Sequence, residues 1–257
     1  MTEKTQERFR VRYLGGKSKI AKRVAEAILA STEKRGRLIE PFVGGGAITA
    51  VLAPSFERVD AFDINNDLIL MWQALKTGWK PPSEISEDQY KELKIAEPSA
   101  LRAFAGFGGA SWGGKWFGGY ARGDGRNYAD ESARSLLRDI RQMQNCTFEC
   151  LDYLKIKPVA GDVVYADPPY AGTTEYRDTF NSTQFWETMG GWAADGVDVF
   201  VSEYAAPQGW KTIWEITRTR DMKSKLTNAE KVTEKLFHID REWDKMWQKP
   251  FVRQDLL

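Results

Sequence analysis

Four consecutive residues, Asp167, Pro168, Pro169 and Tyr170, have the chemistry needed to hold the amino group of a nucleobase. The Asp167 carboxylate and a backbone carbonyl are hydrogen-bond acceptors, and the Tyr170 ring offers a stacking face. An exocyclic amino group presents two N–H donors beside a π-system, so the segment matches it group for group. The two prolines fix φ and stiffen the turn. The segment follows an apolar run at 162–166, which predicts that it lies at the end of a buried strand.

A glycine-rich turn at 40–47 and an acid at position 63 predict a nucleotide site. Glycines let a ligand approach the backbone closely, and Asp63 closes the next strand, where it can accept hydrogen bonds from a ribose diol. The separation of 19 residues between Gly44 and Asp63 is typical of nucleotide-binding βαβ units. The pattern departs from GxGxxG because its last position is Thr49. A tight turn without a ligand, a nicotinamide or flavin dehydrogenase, and an adenosyl-methionine site all remain open.

A third segment, YLGGKSK at 13–19, precedes a helical pattern. It is not a phosphate-binding P-loop, because the position that requires glycine is Val11. Two glycines, Lys17 and a helix N-terminus are compatible with a carboxylate site or with a simple helix entry.

The composition argues against a zinc site, a transmembrane segment and a secretory signal. The single histidine and the two cysteines, Cys146 and Cys150, leave no Cys/His set for zinc, and no metal is expected. The cysteines are expected to be buried thiols in a reducing cytosol. No apolar stretch is long enough for a transmembrane helix, and the N-terminus has no signal-peptide core, so we expect a cytoplasmic protein that does not bind membranes.

The elements that would position these residues follow an α/β pattern. Residues 17–29 have helical spacing, and 37–78 alternate strand–helix–strand–helix, which is typical of a parallel sheet. From 79 to 145 the pattern changes to polar helices and a segment, 106–125, with nine of the chain's 22 glycines. Strand patterns then resume and end in a hairpin pair. We therefore expect a catalytic domain formed by 1–78 and 146–257 and an inserted subdomain at 79–145.

The motifs YLGGK, EPFVGGG, FDIN and DPPY, in this order, resemble those of the Dam-type (D12 class) adenine-N6 DNA methyltransferases with the α motif order. The resemblance implies a class I S-adenosyl-methionine-dependent methyltransferase (Rossmann-like) sheet of seven strands, the last of them antiparallel. It also implies an inserted, mainly helical DNA-recognition subdomain. The implied reaction moves a methyl group from S-adenosyl-L-methionine to N6 of a flipped adenine in DNA, without a metal.

The resemblance assigns site residues one by one. The catalytic motif is Asp167, Pro168, Pro169 and Tyr170. Asp152 matches loosely a loop beside the cofactor adenine, and a helix N-cap is an equally good interpretation. Ser202 lies where relatives have Ser-Asn, but Glu203 replaces the asparagine and no role is carried over. The residues implied to bind the cofactor are Tyr13, Lys17, Phe42, Gly44, Gly46, Asp63, Asp152 and Asp167.

The insertion interleaves aromatic and basic residues with glycines, which favours DNA recognition. The expected DNA contacts are Lys115, Arg122, Arg126 and Asn127. The alternative is a glycine-rich loop whose aromatic side chains pack on the core. The net charge is only +1, but residues 1–37 hold 11 basic and 4 acidic side chains, so charge is segregated along the chain.

Other functions remain open. A methyltransferase could act on cytosine N4, on a glutamine or on RNA, and a DNA-binding module could keep the fold without catalysis. The expected partner is DNA, and the expected state is a monomer or weak dimer. The resemblance fits a bacterial or phage enzyme, with or without a restriction partner.

Overall fold

The computed structural model describes residues 17–111, 115–121, 125–169, 180–220 and 230–239. The chain divides into two compact units, Met1–Ile156 and Lys157–Leu257. The predicted subdomain at 79–145 lies within the first unit.

The first unit has a parallel three-stranded sheet. Its strands are β1 (Arg37–Glu40), β2 (Arg58–Asp63) and β3 (Cys146–Cys150), in the order β3-β2-β1. Val59 in β2 pairs with Leu38 and Cys146 on its two sides, and all three side chains are buried. Short apolar runs of this kind are typical of strands covered on both faces.

The helices of the first unit confirm most of the predicted elements. They are α1 (Ala21–Ser31), α2 (Thr49–Leu52), α3 (Asn66–Lys76), α4 (Glu87–Ile95), α5 (Ala100–Phe104) and α6 (Tyr128–Gln142). Asparagine or serine side chains cap the N-termini of α3, α4, α5 and α6. The five-residue α5 continues into a π-helical turn, Ala105–Gly109, and neither was predicted, because such short elements in a glycine-rich segment show no apolar periodicity.

The second unit contains β4 (Val163–Ala166), α7 (Ser182–Ala194), β5 (Asp198–Glu203), β6 (Trp210–Arg220) and β7 (Glu230–Ile239). Its strand order is β4-β5-β7-β6, with β4 and β5 parallel and β7 antiparallel to both of its neighbours. The predicted hairpin is therefore confirmed. The orders 3-2-1 and 4-5-7-6 are those of the two halves of the class I methyltransferase sheet, which confirms the predicted fold class.

One expectation about the core was wrong. Cys146 is buried as expected, but Cys150, at the end of β3, is exposed. The alternation along this strand places the two thiols on one face, yet the apolar cover does not extend to the strand's last residue. No helix in the described ranges is long and apolar enough to cross a membrane.

Candidate cofactor and catalytic site

The turn after β1 is held by the acid that ends β2. The Asp63 carboxylate accepts a hydrogen bond from the Gly44 backbone N–H at 2.9 Å and another from the Asn65 N–H at 2.9 Å. Gly44 has φ +46°, a left-handed conformation that favours glycine. Burial raises the pKa of Asp63, although the backbone N–H donors act in the opposite direction. The structure thus brings together two residues that the sequence predicted as cofactor contacts.

The buried indole of Trp72 forms a hydrogen bond with the same turn. Trp72 in α3 donates its Nε1–H to the Gly44 carbonyl at 3.0 Å and stacks on Phe148, with 5.6 Å between ring centroids. Gly46 has φ +64°, and a Cβ atom there would lie 2.7 Å from the Trp72 ring and 2.8 Å from Met143. The packing of the core therefore requires glycine at position 46. Sequence reasoning missed Trp72, for which the available signal was an aromatic residue in the helix that follows Asp63.

A buried polar pair closes the turn at its two ends. Glu40, the last residue of β1, accepts a hydrogen bond from the Thr49 hydroxyl at the start of α2. Both residues are almost completely buried. The pair fixes where α2 begins relative to the strand, and hence the path of the chain between them. It was not predicted.

Phe42 and Asp152 are two further residues that were predicted to bind the cofactor. The Phe42 ring lies 5.4 Å from the ring of Tyr153, in the turn that follows β3, so the loops after β1 and β3 are in contact. Asp152 caps the helical turn that follows, accepting the Leu154 N–H at 3.0 Å. The N-cap interpretation of Asp152 is thereby confirmed, and its contact with a cofactor stays a prediction.

Lys17 is buried at the entry to α1, where its carbonyl accepts the Ile20 N–H at 2.8 Å. Tyr13 lies outside the described residues.

Exposed aliphatic side chains in the segments that follow β2 and β3 were not predicted. Ile64 is 73% exposed, and Leu154 is 41% exposed. The Cys150 thiol donates to the Ile64 carbonyl at 3.5 Å.

In the second unit, Asp167, Pro168 and Pro169 directly follow β4, as predicted. The preceding strand is rigidly packed: the Tyr165 side chain is fully buried, and its hydroxyl is 2.9 Å from Ser202 Oγ in β5. Asp167 is half-buried. Tyr170 lies outside the described residues.

The residues predicted to contact DNA differ in their exposure and in their contacts within the protein. Lys115 is exposed. Arg126 is exposed and forms a two-point ion pair with Glu131, at 2.5 and 3.1 Å, and its guanidinium lies 5.4 Å from the centroid of the Tyr128 ring. Asn127 caps α6 by accepting the Asp130 N–H at 3.0 Å. Arg122 lies outside the described residues.

Several aromatic residues of the insertion pack inward. Phe117 is buried, with its ring 5.1 Å from that of Tyr90. The Tyr120 hydroxyl donates to the Ile85 carbonyl at 2.7 Å. Trp116 is 37% exposed and lies 4.5 Å from the Phe107 ring. These contacts correspond to the alternative in which the aromatic side chains pack on the core. They leave the DNA assignment of the basic residues as a prediction.

Metal ligands do not cluster in the part of the chain that the structure describes, where no group of three His, Cys, Asp or Glu side chains could hold an ion.

Comparison with known proteins supports the motif-based resemblance. The family model of D12 class N6 adenine-specific DNA methyltransferases matches residues 13–100. DNA adenine methylases of two Vibrio cholerae serotype O1 strains are 27% identical over 195 residues, covering 65% of this chain and 66% of each relative. The chain thus spans just under two thirds of the length of these relatives. The resemblance to Dam-type proteins is confirmed.

Two solved methyltransferase structures are also similar to this chain, both with low scores. An N-methyltransferase from Bradyrhizobium japonicum in complex with S-adenosyl-L-homocysteine has 8% identity and a TM-score of 0.41, covering 86% of each chain. A 23S rRNA methyltransferase has 12% identity and a TM-score of 0.40, covering 90% of this chain and 75% of the other. The strand order, rather than these low scores, defines the fold class.

Proposed function

We propose that this chain, whose residues 13–100 match the D12 class, transfers a methyl group from S-adenosyl-L-methionine to N6 of adenine in DNA. The observation that carries the proposal lies in that matched region. There the Asp63 carboxylate holds the glycine turn at Gly44, the arrangement expected of a ribose-binding acid beside a cofactor turn. The Asp-Pro-Pro segment after β4 supplies the chemistry for the amino group.

The described residues fit S-adenosyl-L-methionine. A ribose diol is a pair of hydrogen-bond donors, and Asp63 is a half-buried acceptor at the carboxyl edge of the strands. The exposed Ile64 side chain offers an apolar face for the adenine ring. Lys17 supplies a positive charge of the kind that a carboxylate requires. When bound, this cofactor supplies an activated methyl group on a sulfonium.

Asp167 and Pro168 are proposed to orient the target amine. The lone pair of adenine N6 is delocalised into the ring, which makes the nitrogen a poor nucleophile. The Asp167 carboxylate and the Pro168 carbonyl would each accept one N6–H, which favours tetrahedral geometry at nitrogen and directs its lone pair toward the methyl group. A carboxylate is too weak a base to deprotonate an aromatic amine beforehand. The contribution of these residues is therefore positioning and electrostatics.

DNA is the proposed partner, and the adenine must leave the duplex to reach Asp167, at a cost of a few kcal/mol. Stacking on Tyr170 would offset about 1–3 kcal/mol of this cost. Lys115, Arg122 and Arg126 are proposed to contact DNA, with Asn127 reading a base edge. We place the protein in the bacterial cytoplasm, where its DNA substrate lies, as a monomer or weak dimer.

The test is a methylation assay with labelled S-adenosyl-L-methionine and duplex DNA, followed by digestion to nucleosides. We expect label in N6-methyladenosine. Label in N4-methylcytosine would instead identify a cytosine-N4 methyltransferase. Label incorporated only into RNA or protein would overturn the assignment of DNA as the substrate. Asp167→Ala should abolish transfer while S-adenosyl-L-homocysteine still binds. An Asp167→Ala protein with near-normal turnover would contradict the catalytic assignment.

A further inference from the structure

The Arg102 side chain in α5 connects three helices and a loop of the first unit. Its guanidinium forms an ion pair with Asp67 in α3 and donates from Nε to the Leu93 carbonyl in α4 at 3.0 Å. The Arg102 side chain is 17% exposed and that of Asp67 is 9% exposed. Ion pairs this deeply buried depend strongly on geometry, because each charge has lost most of its water.

Asp67 lies only four residues after Asp63, in the first turn of α3. One of its oxygens accepts the Ser99 backbone N–H at 2.9 Å, and the other binds Arg102. Ser99 in turn caps α5, with its hydroxyl accepting the Arg102 N–H at 3.1 Å. The end of α3 next to the proposed ribose acid thus holds the start of α5 through both carboxylate oxygens.

The Arg102 guanidinium also contacts the loop at 115–121. Its central carbon lies 4.9 Å from the centroid of the Trp116 ring and 5.7 Å from that of Phe117. The Phe117 N–H donates to the Gly106 carbonyl at 3.0 Å. Phe117 has φ +43°, a conformation that non-glycine residues adopt only where the surroundings impose it. The loop conformation therefore depends on the surface formed by Arg102 and Gly106.

We propose that Arg102 and Asp67 are positioning residues that fix the loop at 115–121 relative to the cofactor turn. The inference rests on the proposed function, because the loop begins with Lys115, one of the proposed DNA contacts. Asp63 ties the cofactor turn to the end of β2, and Asp67 ties the loop's support to the helix that follows. The turn that would bind the cofactor and the loop that would contact DNA are thereby both anchored next to the start of α3. Geometry at this terminus would set where the adenine arrives relative to the methyl group.

Two variants test the positioning role by independent routes. Arg102→Lys keeps the charge but loses the planar fork that reaches Asp67 and Leu93 together and stacks on the rings. Gly106→Ala leaves every polar group in place, but its Cβ would lie 2.6 Å from the Trp116 ring and displace it. The matched control is Arg35→Lys. Arg35 also donates to backbone carbonyls and lies 5.9 Å from the centroid of the Phe56 ring, on the α1–β1 connection.

The measurements are kcat and KM for a duplex substrate, the dissociation constant for S-adenosyl-L-homocysteine, and the thermal midpoint. In both variants we expect kcat to fall by roughly 10–100-fold, since a displacement of about 1 Å is enough for such a loss. Cofactor affinity should stay within about twofold of the wild-type value. The kcat of the double variant should fall little further than that of the more strongly affected single variant, because both changes act through one loop. Arg35→Lys should change none of these quantities beyond stability.

Folded variants with wild-type kcat would overturn the positioning role while leaving the proposed function intact. A parallel loss of cofactor affinity and kcat would also overturn it, because it would indicate a purely structural role for this end of α3. An inactive wild-type protein would overturn both proposals. Where Arg102→Lys fails to fold, Gly106→Ala decides the outcome, because its helical backbone accepts alanine.

Discussion

Asp63 and Gly44 are joined by a hydrogen bond of 2.9 Å from the glycine N–H to the carboxylate, across 19 residues of sequence. The acid therefore shapes the turn, and it is the residue that we propose to bind the ribose. Asp63→Asn keeps one acceptor oxygen but removes the charge, and a hydrogen bond to a charged group typically contributes about 1.5–3 kcal/mol. We expect affinity for S-adenosyl-L-homocysteine, measured by calorimetry, to fall about 10–100-fold.

The same affinity should depend on pH. Because burial raises the pKa of Asp63, the carboxylate is lost on acidification before ordinary carboxyls are protonated. Affinity should be constant at high pH and decline as pH falls through a value above 3.8, and Asp63→Asn should remove this dependence. Asp195→Asn, on an exposed residue at the end of α7, serves as the control. An Asp63→Asn protein with unchanged affinity would refute the ribose assignment.

Gly46→Ala should destabilise the first unit through two separate effects. A left-handed alanine costs about 1–2 kcal/mol, and overpacking against Trp72 and Met143 adds about 1–3 kcal/mol. Gly78→Ala isolates the first effect, because Gly78 has φ +96° and no atom lies within 4 Å of the added Cβ. Denaturant titration of both variants gives the difference. Equal losses in stability would show that the core tolerates a methyl group at Gly46.

Asp60 should make stability depend on pH in the acidic range. Its burial acts to raise its pKa, but hydrogen bonds from Arg58, Arg37 and Thr147 outweigh that effect and lower the pKa below 3.8. A carboxyl with a depressed pKa stabilises the fold above its unfolded pKa, and the contribution is lost as pH falls through the folded pKa. Asp60→Asn should lower the free energy of unfolding by about 1–3 kcal/mol at neutral pH.

The difference between the wild type and Asp60→Asn should shrink below about pH 4, as the wild-type carboxyl is protonated. Chemical denaturation at several pH values measures it. Asp88→Asn is the matched control, since the Asp88 side chain is 91% exposed and lies 3.8 Å from Lys91. A difference that persists unchanged to the lowest accessible pH would contradict the role of the charge.

Lys115 should contribute to the salt dependence of DNA binding. If its ammonium neutralises one phosphate, Lys115→Gln lowers the slope of log K against log salt by about 0.9. Lys91→Gln, at an exposed lysine of α4 that pairs with Glu87 at 3.1 Å, should leave the slope unchanged. Filter binding between low and moderate salt gives both slopes. Identical slopes for the wild type and Lys115→Gln would place Lys115 away from the phosphates.

The regular part of the fold was predictable because local patterns agree with the final packing. Apolar runs punctuated by glycine identified β1, β2 and the helix between them, and the residues that end those strands were predicted at the correct edge. The interactions that hold the turn were not predictable. Trp72 donates to Gly44 from a position 28 residues away in the sequence, and Thr49 can reach Glu40 only once the turn has formed.

The insertion was the least predictable region. Arg126 and Asn127 have the residue types that read bases, but the same types make ion pairs and helix caps, and the structure shows both of those uses. The acidic residues that follow Asn127 were an available signal for a helix start. The pairing of Asp67 with Arg102 joins residues 35 positions apart, and no sequence pattern indicates it.

The exposure of Cys150 gives the protein a built-in attachment point. The chain has only two cysteines, and burial raises the pKa of Cys146 to about 12, which makes that thiol inert toward alkylating dyes. Cys150 is exposed at the end of β3 and contacts the Ile64 carbonyl, beside the surface where the adenine of the cofactor is proposed to lie. Burial and the nearby Asp63 carboxylate raise the pKa of Cys150 as well, so coupling needs alkaline pH. A fluorophore coupled there is expected to report cofactor binding without an engineered cysteine.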